Sequence, residues 1–194
     1  MTAPLILFLG KPGAGKGTQA GLFGKETGFS IFKSSGQLRE LAAAYPHIGA
    51  KILSAMDRGD LVPYWLPMHL WLKDILSLSE EQGIIIDGAV RRVEEATLFD
   101  EVANWFGRPY RVFFLNVSDE EMRNRIGKRA TIENRTDDND EALRERMQEY
   151  EKHTARALEF FKSQNTYVEI DGQGSIEEVH GRVMDAFTKE FGNA

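Results

Sequence analysis

Ten residues near the start of the chain limit its possible folds more than any others: Gly10-Lys11-Pro12-Gly13-Ala14-Gly15-Lys16-Gly17-Thr18-Gln19. The apolar run 5–9 leads into this segment and the amphipathic stretch 15–27 leads out of it. Strand, glycine-rich turn and helix, in that order, form a phosphate-binding loop. Glycines let the backbone turn its N–H groups around an anion without obstruction by Cβ, and the helix that follows adds its positive N-terminal end. The expected nucleotide contacts are Gly13, Ala14, Gly15, Lys16, Gly17 and Thr18, with Lys16 reaching the β- and γ-phosphates. Gly17 stands where the generic loop carries Ser or Thr, and Thr18 comes one residue later. Such a loop is shared by GTPases, ATPases and kinases, so the rest of the chain must choose among them.

Four more short apolar runs, 29–32, 84–86, 111–116 and 167–170, alternate with helical patterns at 37–44, 48–58, 63–78, 94–106, 119–128, 138–163 and 175–191. Runs that are apolar throughout, rather than alternating, predict strands buried on both faces. Five such strands with intervening helices predict an α/β fold with a five-stranded parallel sheet between helical layers. The second and third runs are separated by about fifty residues, far more than the ~10–15 of one crossover. A helical insertion over 34–78 accounts for the excess, and 129–138 reads as a short polar loop between two helices. The 194 residues then form a single domain.

A net charge of −6 and a pI near 5.3 argue against nucleic acid or an anionic membrane as partner, so any anion site must be a local cluster of Lys and Arg. There is no apolar run of membrane-spanning length, no basic leader and no cysteine, which predicts a soluble, cytoplasmic protein; a monomer is expected.

Ile84-Ile85-Ile86-Asp87 is an apolar strand ending in a carboxylate, followed by Gly88; beside a phosphate loop, Asp87 is the expected Mg²⁺ residue, directly or through water. Arginines gather downstream at Arg91, Arg125, Arg129, Arg135, Arg144 and Arg146. Arg125 and Arg129, four apart, share a helix face. Arg146 flanks the stripe of Leu143, Met147, Tyr150, Ala157 and Phe161, whereas Arg144 projects about 100° from Leu143. Phosphoryl transfer gives such a cluster a purpose, because its transition state spreads charge over oxygens that planar donors stabilise.

The loop with Gly-Thr-Gln after its lysine resembles that of the adenylate kinase family, nucleoside monophosphate kinases of the P-loop fold. The resemblance continues through Ser34-Ser35-Gly36, Met56-Asp57-Arg58-Gly59-Asp60-Leu61-Val62, Ile86-Asp87-Gly88 with Arg91, Arg125 with Arg129, and Arg135-Thr136-Asp137-Asp138 to Arg146, over nearly the whole chain. The five residues between Arg129 and Arg135 resemble the short form of the family's lid. It implies Mg²⁺-dependent, reversible transfer of the ATP γ-phosphoryl to AMP. It also implies that Lys16, Arg91, Arg125, Arg129, Arg135 and Arg146 surround the transferred group. Ser35, Gly36, Arg39, Gly59, Leu61, Val62, Gly88, Arg91 and Glu95 would hold the acceptor within the insertion's reach, and Gly174, in the loop 172–175, would lie against the donor base.

Departures bear on the acceptor. Gln37 replaces an Asp, Ala89-Val90 an aromatic–proline pair, Arg156 a proline, and Glu95 the Gln that reads the adenine edge. A carboxylate only accepts hydrogen bonds, so an ionised Glu95 suits guanine or one edge of cytosine better than adenine, which keeps GMP, CMP and UMP open as acceptors. Two further functions are compatible with a phosphate loop, a nucleotide switch and a non-catalytic nucleotide-binding module. The first lacks an Asn-Lys-x-Asp guanine motif, and the second gives no use for the arginines.

Overall fold

A computed structural model describes residues 2–133 and 140–192, apart from the side chains of 128–133 and 140. Five strands, β1 (Leu5–Gly10), β2 (Ser30–Lys33), β3 (Ile84–Asp87), β4 (Tyr110–Asn116) and β5 (Tyr167–Asp171), form one parallel sheet in the order β2-β3-β1-β4-β5. The most apolar run is the central strand: every residue of β1 is buried, in register with β3 (Leu7 opposite Ile86) and with β4 (Leu7 opposite Val112). Side chains alternate between faces along each strand, which divides the core in two. Leu5, Leu7, Ile84, Ile86, Val112 and Phe114 face one helical layer, and Ile6, Phe8, Ile85, Phe113 and Leu115 face the other.

The two outer strands depart from the expectation of burial on both faces. In β2 only Phe32 is buried, and in β5 only Ile170. Each pairs with a single neighbour and lies at the margin of the helical layers, so half of its surface meets water.

Helix α1 (Lys16–Thr27) follows the loop and packs with α9 (Ile176–Phe191), where Phe23 meets Phe187 edge-to-face at 5.0 Å. A capping box formed by Ser175 and Glu178 starts α9. Between β2 and β3 come α2 (Ser34–Ala44), α3 (Pro46–Arg58) and α4 (Trp65–Leu76). Leu38, Ile52, Leu70 and Trp71 from these helices share the first core with Leu5 and Leu7 of the sheet. At the turn after α3, Gly59 has a φ of 87°, and a Cβ there would stand 2.6 Å from the Ala142 carbonyl oxygen. Glycine is what lets this insertion close against α7 (Asp140–Glu149).

Helix α5 (Val93–Trp105) joins β3 to β4. Helix α6 (Asp119–Glu133) runs five residues past the expected end at Lys128, since Arg129-Ala130-Thr131-Ile132-Glu133 holds no Gly or Pro to stop it. The start of the expected loop 129–138 is therefore helical, and 134–139 lie outside the described residues. The expected helix 138–163 is instead α7, a π-helical turn at Tyr150–Thr154 and α8 (Ala155–Ser163). No helix among the described residues is long and apolar enough to cross a membrane.

Candidate functional site

Because β1 lies at the centre, β3 flanks it on one side and β4 on the other. The loops at the carboxyl ends of β1, β3 and β4 therefore open a crevice. The phosphate loop lies at its floor. Gly13 and Gly15 have φ of 75° and 90°, which the turn into α1 requires. Lys16 folds back over this turn, its Nζ donating to the carbonyls of Gly10 (2.9 Å) and Lys11 (2.8 Å). Gly17 faces the end of β3, and a Cβ placed on it would stand 3.2 Å from Asp87 Oδ2. The Ser or Thr of a generic loop would crowd that carboxylate.

Asp87 is the last residue of β3. Burial raises its pKa, while the charges of Lys16, Arg91 and Lys33 draw it down. The chain then turns through Gly88 to Ala89 and Val90, both buried. Val90 has a φ of 58°, a strained conformation for a β-branched residue, kept by its packing in the core. This turn carries Arg91 back beneath Gly88, whose added Cβ would lie 3.2 Å from Arg91 Nη2. Burial lowers the Arg91 pKa, opposed by Asp87 and Glu95.

Glu95 lies in the first turn of α5 and is only 3% exposed. Its Oε2 accepts the Arg91 backbone N–H at 2.6 Å, so the carboxyl holds the end of the Asp87–Arg91 turn onto the helix. Burial pushes its pKa up to about 7, against the Arg91 hydrogen bond and the charges of Arg91 and Arg92. The carboxylic acid is thus accessible near neutrality, and it both donates and accepts.

Across the loop, Arg125 Nε donates to Glu121 Oε1 at 2.7 Å, and its terminal nitrogens donate to the carbonyls of Ala14 (3.3 Å), Gly172 (2.8 Å) and Gly174 (3.4 Å). One side chain thereby ties α6, the phosphate loop and the loop after β5.

A single cavity of about 830 Å³ joins these parts. Its wall includes Gly13 to Gln19, Arg125 and Gly174 on one side, and Ser35, Gly59, Leu61, Val62, Gly88, Arg91 and Glu95 on the other, with Asp87 and Arg146 also on the wall. Gly36 and Arg39 are not part of the wall. Arg39 is exposed, with Nη1 3.5 Å from the Ser35 carbonyl one helical turn back. Arg144 is exposed as well. The side chain of Arg129 and the whole of Arg135 lie outside the described residues.

Among the wall residues outside the motifs legible in the sequence are Lys33, Glu149 and Thr154, while Tyr150 lies on the expected apolar stripe. Lys33 becomes a neighbour of Asp87 only because β2 pairs with β3. Tyr150 and Thr154 are the first and last residues of the π-helical turn, a device common at functional sites.

For a divalent cation the described residues offer no cluster of three acidic or imidazole side chains. One half-buried carboxylate, Asp87, lies against the first turn after the loop. That fits Mg²⁺, which keeps several waters and is commonly held by one or two carboxylates together with substrate phosphates.

A phosphate loop and a set of inward arginines around one two-sided cavity are the equipment of a phosphotransferase. The sequence profile of adenylate kinase matches residues 8–166. The chain belongs to the adenylate kinase family. It is 34% identical over 182 residues to the adenylate kinase of Thermus thermophilus, covering 93% of this chain and 95% of that one. It is 36% identical over 184 residues to the adenylate kinase of Xanthomonas euvesicatoria (93% and 97% covered) and 31% identical over 183 residues to that of Prochlorococcus marinus (94% and 98%). Membership makes it a nucleotide-binding phosphotransferase, and the wide coverage places the insertion and the segment 128–140 within the aligned family length.

Proposed function

We propose that the chain transfers the γ-phosphoryl of ATP reversibly to AMP in the presence of Mg²⁺, as a monomer in the cytoplasm. The observation that carries this proposal is the continuity of the cavity. The phosphate loop at one end and the Gly59–Val62 and Gly88–Glu95 walls at the other bracket room for two nucleotides, with Asp87, Arg91 and Arg146 between them.

The loop N–H groups and Lys16 hold the donor phosphates, and Arg125 with Gly174 borders the donor base. Arg91 orients the acceptor phosphate; Gly88, Ser35 and the backbone from Gly59 to Val62 enclose its nucleoside. Mg²⁺ shared between Asp87 and the donor would supply further neutralising charge. An acceptor oxygen, already anionic, attacks the γ-phosphorus as the bond to the β–γ bridging oxygen breaks, so no general base is required. Arg125, Arg129, Arg135 and Arg146 would gather around the transferred group when the insertion and the segment 129–138 close and exclude water.

Glu95 decides the base. In its acid form it presents a donor and an acceptor, the pair adenine asks for, whereas the carboxylate favours guanine. Burial that lifts its pKa to about 7 makes the acid form available at neutral pH and supports AMP. The test is a coupled assay of folded protein with ATP, Mg²⁺ and each of AMP, GMP, CMP, UMP and dTMP, repeated with Glu95→Gln. Absence of nucleoside diphosphate with every acceptor would sink the kinase assignment. A preference for GMP that Glu95→Gln moves to AMP would replace the acceptor alone.

A further inference from the structure

Lys33 is the last residue of β2, and the parallel pairing sets it directly opposite Asp87. The point where a Cβ of Gly17 would lie is 3.2 Å from Asp87 Oδ2 and 3.9 Å from Lys33 Cε. The lysine stem, the carboxylate and the first turn of α1 therefore converge over one spot, on the wall of the cavity that also holds Lys16 and Thr18. The side chain is exposed rather than buried among protein groups, so its ammonium can swing toward a ligand on a flexible stem.

Charge at this spot is lopsided. Three cations, Lys16, Arg91 and Lys33, act on the carboxylate of Asp87, with Arg91 shared by the carboxyl of Glu95. Gathering like charges is unfavourable unless an anion joins them, and a polyphosphate is such an anion. The supply of metal ligands is correspondingly thin. Gly17 brings no hydroxyl where the generic loop uses Ser or Thr to hold Mg²⁺, and Asp87 has no cluster of acidic partners among the described residues.

We propose that Lys33 is a built-in cation of the phosphoryl-transfer site, neutralising the donor's terminal phosphates from beside Asp87 in the place where a divalent ion contributes its charge. The proposal rests on the donor site argued above and adds to it. An ammonium and a metal ion that serve the same oxygens are partly redundant, so the loss of Lys33 must weigh more on metal-free ATP than on ATP with Mg²⁺.

Calorimetric titration of the intact protein with ATP, once in EDTA and once in excess Mg²⁺, reads this directly without turnover. Lys33→Met is expected to weaken metal-free ATP binding about tenfold and Mg·ATP binding by no more than about threefold, with Lys33→Arg near wild type in both. Lys33→Gln repeats the measurement if Lys33→Met does not fold by circular dichroism. Equal losses in the two titrations, or no loss in either, overturn the proposal. Lys16→Ala separates this failure from failure of the donor site itself. If Lys16→Ala abolishes ATP binding while Lys33 variants do not respond to metal, only the Lys33 role falls. If Lys16→Ala binds ATP normally, the donor site is wrong.

Discussion

The proposed donor and acceptor halves of the cavity are built from different materials. On the donor side, binding capacity belongs mostly to the backbone: positive-φ glycines, the first turn of α1 and carbonyls gathered by Arg125. On the acceptor side it belongs to side chains whose direction depends on neighbours. Arg91 is turned inward by a strained turn at Val90, Glu95 is buried against that turn's last amide, and Arg39 is turned out. A backbone site tolerates exchange of most side chains around it, whereas a side-chain site is retuned by one. The departures read from the family resemblance fall at Gln37, Ala89-Val90, Glu95 and Arg156, none of them between Gly10 and Gln19.

The sharpest test of that contrast removes Lys16, the side chain proposed to hold the donor phosphates. Lys16→Ala should reduce kcat with AMP by roughly 10²–10³-fold, because a preorganised charge at the transferred group has no substitute in the backbone. The thermal midpoint should scarcely move, since water can satisfy the loop carbonyls to which Lys16 donates. Arg91→Ala should do the reverse on the acceptor side. It empties the space that the side chain fills beneath Gly88, so a stability loss of about 1–3 kcal/mol should accompany a raised KM for AMP. Chemical denaturation and steady-state kinetics on both variants compare the halves. A stability loss for Lys16→Ala as large as for Arg91→Ala would erase the distinction.

The same contrast explains what could be read from the amino-acid order. The phosphate loop is legible because its function needs glycines at fixed spacing between a strand and a helix, all within ten residues. Five parallel strands were legible from their apolar runs, but edge and centre were not. Phe29-Ser30-Ile31-Phe32 reads as buried on both faces, yet most of β2 is exposed because strand order is a long-range property. Lys33 was invisible for the same reason, since only the β2–β3 register brings it to Asp87. Glu95 could be found by spacing from Arg91, but its protonation could not, because desolvation depends on what packs over it.

Protonation of Glu95 offers an intermediate effect with a definite sign. Its folded pKa, about 7, lies above the ordinary carboxyl value of 4.5, so the folded state binds the extra proton between the two. Stability therefore declines as pH rises from about 4.5 through about 7, by roughly 1–3 kcal/mol for this group. Glu95→Gln removes that slope and should gain on wild type more at pH 8 than at pH 5 in thermal unfolding. In the same window, AMP affinity of the wild type should fall as pH rises and that of Glu95→Gln should stay level. A wild-type affinity for AMP that rises with pH would contradict adenine recognition by the acid form.

The smallest expected effect is at Arg39, and it probes the acceptor side where sequence and structure part. The family resemblance assigns Arg39 to the acceptor phosphate, but in this structure the side chain is exposed and its nearest described partner is a carbonyl one turn back in α2. An arginine that arrives only when the insertion closes contributes to the closed complex and not to the shape of the open cavity. Arg39→Ala should thus raise KM for AMP by about three- to tenfold, less than Arg91→Ala does, with ATP affinity and thermal midpoint unchanged. Measured with saturating ATP, an unchanged KM would mean that Arg39 never reaches the acceptor and that Arg91 serves its phosphate from the chain's own core. A loss equal to that of Arg91→Ala would mean instead that the closed arrangement, with α2 drawn in, governs acceptor binding more than the buried turn between Asp87 and Glu95.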